Sequence, residues 1–171
     1  LKYSYIWKRI FVERLSEPLH LNLLSIFLYF FGSLRTKIEF DLVLRQYHAY
    51  ALVEAADLAK RHNKSEVTVI EFGVANGAGL SNIQEISKRI TKSTGISFKI
   101  FGFDTGAGMP PPISYKDHPD LYREGDFPMD FNKLQESLDD NTKLIIGKIE
   151  ETLPIFMKNN FEDSPIAFIS I

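Results

Sequence analysis

Two acids and three glycines are the residues of this chain best placed to do chemistry: Glu71, Gly73, Gly77, Gly79 and Asp104. The first four lie in VIEFGVANGAGL (69–80), where an apolar, β-branched run gives way to glycines spaced G-x-x-x-G-x-G. A strand, a glycine-rich turn and a helix in that order build a corner for phosphates or nucleosides. Glycine lets the backbone turn tightly and approach a ligand, and the start of the helix offers free N–H groups. The spacing is not the dinucleotide pattern G-x-G-x-x-G. Glu71, two residues before the first glycine, would repel a pyrophosphate. An acid there is expected to face the ligand and to attract one carrying an amine. A second strand, FKIFGFD, ends on Asp104, and an acid at that place can grip both hydroxyls of a ribose. An amine, a ribose and no phosphate describe S-adenosylmethionine. In the plainer alternative, Asp104 caps the turn that follows it and the glycines only punctuate a tight connection.

These residues need elements to position them. Apolar spacing predicts a helix over 4–15 (Ile6, Trp7, Ile10, Phe11, Leu15), a second ending near Phe31 with Gly32 as its stop, and a third from about Glu39 to His62 and Asn63. From residue 66 the pattern changes to strands: VTVIEF (67–72), FKIFGF (98–103), KLIIG (143–147) and PIAFISI (165–171). Helices are expected between them, the first carrying Leu80, Ile83, Ile86 and Ile90 on one face, then a short one near 131–139 and another in EETLPIFMKNN. Strands alternating with helices predict an α/β domain with a doubly wound, mainly parallel sheet. The organisation expected is an N-terminal helical extension (1–65) and a partial Rossmann-like domain (66–171). Residues 104–131 hold five of the eight prolines. They are expected to be a long lid or binding loop.

Two other clusters hold side chains able to do chemistry. In RQYHAY (45–50), Arg45 and His48 stand one turn apart on a helix. They would project into the cleft, Arg45 on a carboxylate and His48 as a base; a packed helix with a partly exposed polar face is the alternative, and for His48 alone the better one. In DHPD (117–120), His118 has two acids near it, yet a metal there would need ligands from elsewhere, and a solvated loop is expected. No metal ligand is assigned.

Composition removes several classes. Net charge is −2, with 44% apolar and 25% charged residues, so nothing electrostatic points to nucleic acid. With no cysteine, disulfides, zinc–thiolate sites and thiol nucleophiles are excluded. That fits a reducing compartment, and a cytoplasmic location is expected. The most apolar stretch, LHLNLLSIFLYFF (19–31), has 13 residues, short of the roughly 20 that span a bilayer. It reads as a buried helix, with docking on a membrane surface or a second subunit as the minority reading; any homo-oligomer would use the N-terminal helices. The chain opens on Leu and closes on an apolar run without a turn residue. A fragment is therefore expected, whose natural chain continues for at least about another 50 residues.

VIEFGVANGAG followed by FGFDTGAGMP resembles the class I S-adenosylmethionine-dependent methyltransferases, nearest the macrocin-type sugar O-methyltransferase branch. The resemblance covers roughly 66–171 and implies transfer of a methyl group to a small-molecule acceptor, with O-methylation expected. It implies a sheet order of 3-2-1-4. Glu71, Gly73, Val74, Ala75, Gly77 and Gly79 would surround the methionine part and ribose, Asp104 would hold the ribose with Thr105 beside it, and Lys148 and Ile149 would lie along adenine. Where the family commonly has an acid, this chain has Lys148, which cannot accept the adenine amino hydrogen bond. The family's fourth strand ends in an acid of the catalytic or metal site; here the chain stops at Ile171, so a Mg2+ site would draw on residues beyond it. Short-chain nicotinamide reductases share the G-x-x-x-G-x-G spacing but need Tyr with Lys four residues on, a pair this sequence lacks. A non-catalytic α/β assembly module is the third reading.

Overall fold

The computed structural model describes residues 4–13, 17–159 and 161–171. Leu15, placed by its spacing on the first helix, lies outside them. Contacts divide the chain into two units, Leu1–Glu54 and Ala55–Ile171, and the division falls inside a helix.

In the first unit, helix α1 (Ser4–Lys8) runs into a π-helical stretch, Arg9–Glu13. Helix α2 (Leu19–Phe31) stops at Gly32, whose N–H bonds Leu28 O at 2.8 Å. A Cβ on Gly32 would come within 2.5 Å of that carbonyl, which is why glycine ends the helix there. Rather than one helix from residue 39, the structure has two. Helix α3 (Leu34–Glu39) is capped by Ser33, whose hydroxyl accepts from Thr36 N at 3.2 Å. Helix α4 (Gln46–Arg61) begins only after Asp41 and Arg45, both at positive φ (51° and 54°). Polar contacts hold this break: Asp41 pairs with Arg9, and the Gln46 side chain donates to Ile38 O at 2.6 Å. Arg45 therefore precedes the helix, and its sequence spacing from His48 does not put the two on one helical face. The expected three N-terminal helices become four, because apolar periodicity runs through the turn without registering it. Helix α2 leaves Leu19, Leu23, Phe27, Phe30 and Phe31 exposed, while Trp7 stacks on Phe11 at 5.6 Å.

The second unit holds a four-stranded, all-parallel sheet, as the alternation of strands and helices predicts, in the order β3-β2-β1-β4 that the resemblance implies. The strands are β1 (Glu66–Phe72), β2 (Ser97–Asp104), β3 (Thr142–Ile146) and β4 (Ile166–Ser170). The connecting helices are α5 (Ala78–Thr94), α6 (Phe131–Ser137) and α7 (Ile149–Phe156). Strand side chains alternate between faces, and that decides which helix covers what. Phe101 and Phe103 meet Phe156 of α7, with ring centroids 4.8 and 5.2 Å apart, around a core of Ile70, Phe103 and Phe156. Gly102 points the other way, where a Cβ would strike Val74 and Leu80 of the α5 side. So α5 and α7 cover opposite faces, and the chain reverses direction across the sheet between β1 and β4. On α5, Leu80, Ile83, Ile86 and Ile90 are all buried, the face their spacing predicted. Each such side chain contributes roughly 1.5–3 kcal/mol by leaving water. Burial on both faces leaves β1 without a solvent side: residues 67–71 are buried in succession rather than alternately.

Candidate functional site

Strands β1 and β2 end side by side, and the site is built from the two loops that leave them. Gly73 N donates to Phe103 O at 2.9 Å, carrying the ladder one residue beyond β1. The loop then turns through three residues of positive φ, Gly73 (78°), Ala75 (49°) and Gly77 (79°). Two of these conformations suit glycine, while Ala75 holds one that costs an L-residue roughly 1–2 kcal/mol. At Gly73 a Cβ would meet nothing within 4 Å, so its backbone lies open to a ligand. At Gly77 a Cβ would strike Leu134 of α6.

Asp104 holds this loop in shape. Its Oδ2 accepts from Ala75 N at 2.9 Å and its Oδ1 from Gly106 N at 2.7 Å, so one carboxylate ties the glycine loop to the turn after β2. The turn-capping alternative is thus observed. It does not exhaust the group, since a carboxylate offers about four acceptor positions. Thr105 is similarly engaged: its hydroxyl donates to Gly108 O at 2.8 Å and accepts from Ala107 N at 3.2 Å.

A cavity of about 470 Å³ opens above these strand ends, lined by Gly73, Ala75, Asp104, Thr105, Phe127 and Ile149 among others. It shares Thr105, Met109, Pro110 and Ile149 with a second cavity of about 530 Å³, whose lining adds Pro111, Pro112, Ile113, Lys148 and Glu150. Gly73, Ala75, Asp104, Thr105 and Ile149 are thereby brought together at the first cavity, and Lys148 at the second. Glu71 and Val74 sit elsewhere. Val74 is 3% exposed and packs over Gly102. Glu71, expected to face the ligand, is 6% exposed and lies under the first turn of α5, where a Cβ on Gly79 would collide with its Oε1. Strand alternation puts residue 71 on the α5 face, and the positive end of that helix suits a carboxylate. Arg45 donates to Tyr47 Oη at 2.9 Å, and His48 is 1% exposed, its ring edge-on to Tyr47. Both belong to the first unit.

The proline-rich segment is a closed loop with a neck. Met109 N donates to Asp126 O at 2.8 Å, and Gly125 N donates to Met109 O at 2.9 Å. Gly108, at φ 84°, lies so near the neck that a Cβ would come within 2.6 Å of Asp126 O. Inside the loop, Asp117 Oδ2 accepts from Ser114 N (2.8 Å) and Ile113 N (2.9 Å). The Ser114 amide, then that of Ile113, holds the Asp117 carboxyl below its usual range. The wall residues Met109, Tyr122, Phe127 and Glu150 were not singled out from sequence; the three consecutive prolines and the FDTGAGMP run were the available signals.

Among the described residues no cluster of three or more His, Cys, Asp or Glu stands ready for a metal ion, and no helix is long and apolar enough to cross a membrane. No family model matches the chain, and no curated protein matches it. A solved structure that it does match is that of CalS11, a calicheamicin methyltransferase, with a TM-score of 0.48 and 18% sequence identity over 96% of this chain. The chain spans 63% of the length of that structure.

Proposed function

We propose that this chain binds S-adenosylmethionine and belongs to an enzyme that methylates a small-molecule acceptor, with a hydroxyl as the favoured nucleophile. The observation that carries the reading is Asp104: it stands at the carboxyl end of β2, lines a cavity of about 470 Å³ and keeps acceptor capacity after bonding Ala75 and Gly106. In an open α/β sheet, ligands bind at the carboxyl ends of the strands near the reversal of strand order. The cavity's size lies within the range of small-molecule and cofactor sites. The open space over Gly73 is a cradle that any side chain would fill.

Bound here, S-adenosylmethionine would supply a methyl group already activated by its sulfonium. The residues then bind and orient rather than react. Gly73 and Ala75 give backbone approach, Asp104 accepts from ribose hydroxyls, and Met109, Pro110 and Ile149 keep water from the ligand's apolar faces. Glu71, under α5, supports the glycine loop from beneath through its contact with Gly79. Holding donor and acceptor in line is the larger part of such catalysis. A hydroxyl acceptor also needs its proton taken; His48 is buried in the first unit, and no residue of this cavity is assigned as the base. Self-association would use the exposed face of α2.

Titration calorimetry with S-adenosylmethionine tests the reading. Binding with a Kd on the order of micromolar, about −8 kcal/mol, is expected. Enhanced fluorescence of reduced nicotinamide without S-adenosylmethionine binding would favour a reductase, and binding of neither ligand would favour an assembly module.

A further inference from the structure

We propose that the exposed apolar stripe of α2 docks on the same stripe of a second copy of this chain, across a twofold axis. The inference rests on the self-association reading above and not on the cofactor. Leu19, Leu23, Phe27 and Phe31 follow one another at intervals of four, so they form a single ridge along the helix. Each is more than half exposed, and so are Phe30 and Phe11. The patch is continuous. Phe27 meets Phe31 at 5.1 Å, Phe31 meets Phe30 at 6.5 Å, and Trp7 joins Phe30 to Phe11 at 6.3 and 5.6 Å between ring centroids. At 3.6 residues per turn, Ser25 falls on the side of α2 opposite the ridge, and it is fully buried. The helix thus turns a serine inward and its phenylalanines outward, which is unfavourable unless something covers the outer face.

Size and charge identify what covers it. Six side chains of this size, each more than half exposed, present on the order of 700 Å² of apolar surface. The largest patch of a typical monomer is about 300–600 Å², and each partner of a standard interface contributes roughly 800 Å². No Asp, Glu, Lys or Arg occurs between Pro18 and Leu34. A twofold axis sets a surface against itself, so a charge near the axis would meet its own sign. A ridge without charge escapes that repulsion. A helix lying on an anionic lipid surface carries basic residues on its polar face, and α2 has none. Next to Trp7 in the chain, Lys8 and Arg9 are matched by Glu13 and Asp41, which leaves that group of four without net charge. Ridges at intervals of four interdigitate when two helices cross at about −50°, the commonest packing class. The axis then passes midway along the ridge, and Leu23 meets the partner's Phe27.

Sedimentation velocity on the whole chain, from low micromolar to about a hundred micromolar, should show a dimer that grows with concentration. Phe27→Lys and Leu23→Glu should each weaken it by at least about tenfold, since each buries an unpaired charge. Both positions are exposed in the single chain, so circular dichroism should show the fold unchanged. Mixed together, the two variants should dimerise again, because the substituted positions then face one another with opposite charge. A chain that stays monomeric throughout overturns the proposal, as does a dimer that neither substitution weakens. A mixture that fails to dimerise overturns the twofold pairing. Sedimentation of a monomeric chain with phosphatidylglycerol vesicles would give the stripe to lipid instead. Titration with S-adenosylmethionine is read separately, so loss of the cofactor reading and loss of this one are distinguishable.

Discussion

The two loops that leave the carboxyl edge of the sheet are built on opposite principles. The loop after β1 is five residues long (73–77) and, apart from one internal bond from Gly77 N to Val74 O at 2.9 Å, is held by distant residues. Asp104 of β2 accepts from Ala75, Gly102 makes room for Val74, and Leu134 of α6 presses on Gly77. The loop after β2 is several times longer, yet it holds itself. Met109 pairs with Gly125 and Asp126 at its neck, and Asp117 ties Ile113 and Ser114 within it. A loop locked by its neighbours has a fixed geometry that suits a ligand-gripping surface. A loop locked by itself can move as a unit about its neck, which suits a cover.

Removing the shared brace should have the largest effect. Asp104→Ala should weaken S-adenosylmethionine binding by roughly 2–3 kcal/mol, the cost of losing a charged hydrogen-bonding partner, and should speed hydrogen exchange at the Ala75 and Gly106 amides. Asp104→Asn, which keeps one accepting oxygen, should fall between. Unchanged exchange at Ala75 in the alanine variant would mean that the glycine loop supports itself, and the contrast between the loops would collapse.

Next comes the neck. Gly108→Ala puts a Cβ against Asp126 O in a left-handed conformation, a local cost of about 1–3 kcal/mol. Limited proteolysis should then cut within 109–126 faster, while the melting temperature stays nearly the same, because the sheet takes no part in the neck. A large fall in melting temperature would show that the loop is not an independent unit. In the unsubstituted protein, ligand binding should protect the same segment from cleavage if it is a cover.

The smallest effect is acid-dependent. The Asp117 carboxyl is held below its usual range in the folded loop. Its contribution is therefore present above the ordinary aspartate value near 3.9 and is lost as pH falls through the lower folded value. Hydrogen exchange at Ile113 and Ser114 should rise below about pH 3.9 while the strands stay protected, and Asp117→Asn should abolish that pH dependence. Equal loosening of both loops at that pH would erase the distinction.

Much of this was legible beforehand, and the reason lies in range. Every strand of the sheet and the apolar face of α5 follow from local periodicity, since burial imposes its pattern on the residues that experience it. The order of the strands came from the resemblance. The glycines at 73 and 77 announced left-handed turns. Ala75 did not, because an L-residue in that conformation is held there by a carboxylate 29 positions away. The break between α3 and α4 was likewise invisible, since Arg9 and Gln46 fix it from outside the apolar stripe.

Residue types and spacing alone determined that this chain would make a parallel α/β sheet, with a glycine turn and an acid at neighbouring strand ends. Local propensity and side-chain alternation suffice for that. Only the tertiary structure decided where each acid points. Asp104 closes β2 and Glu71 stands one residue before the end of β1, but residue 71 falls on the face covered by α5 and is buried beneath it. Asp104, where β2 gives way to its turn, reaches across to the glycine loop and the cavity. The difference is one of register between strands and helices, and register is set by packing across the whole sheet.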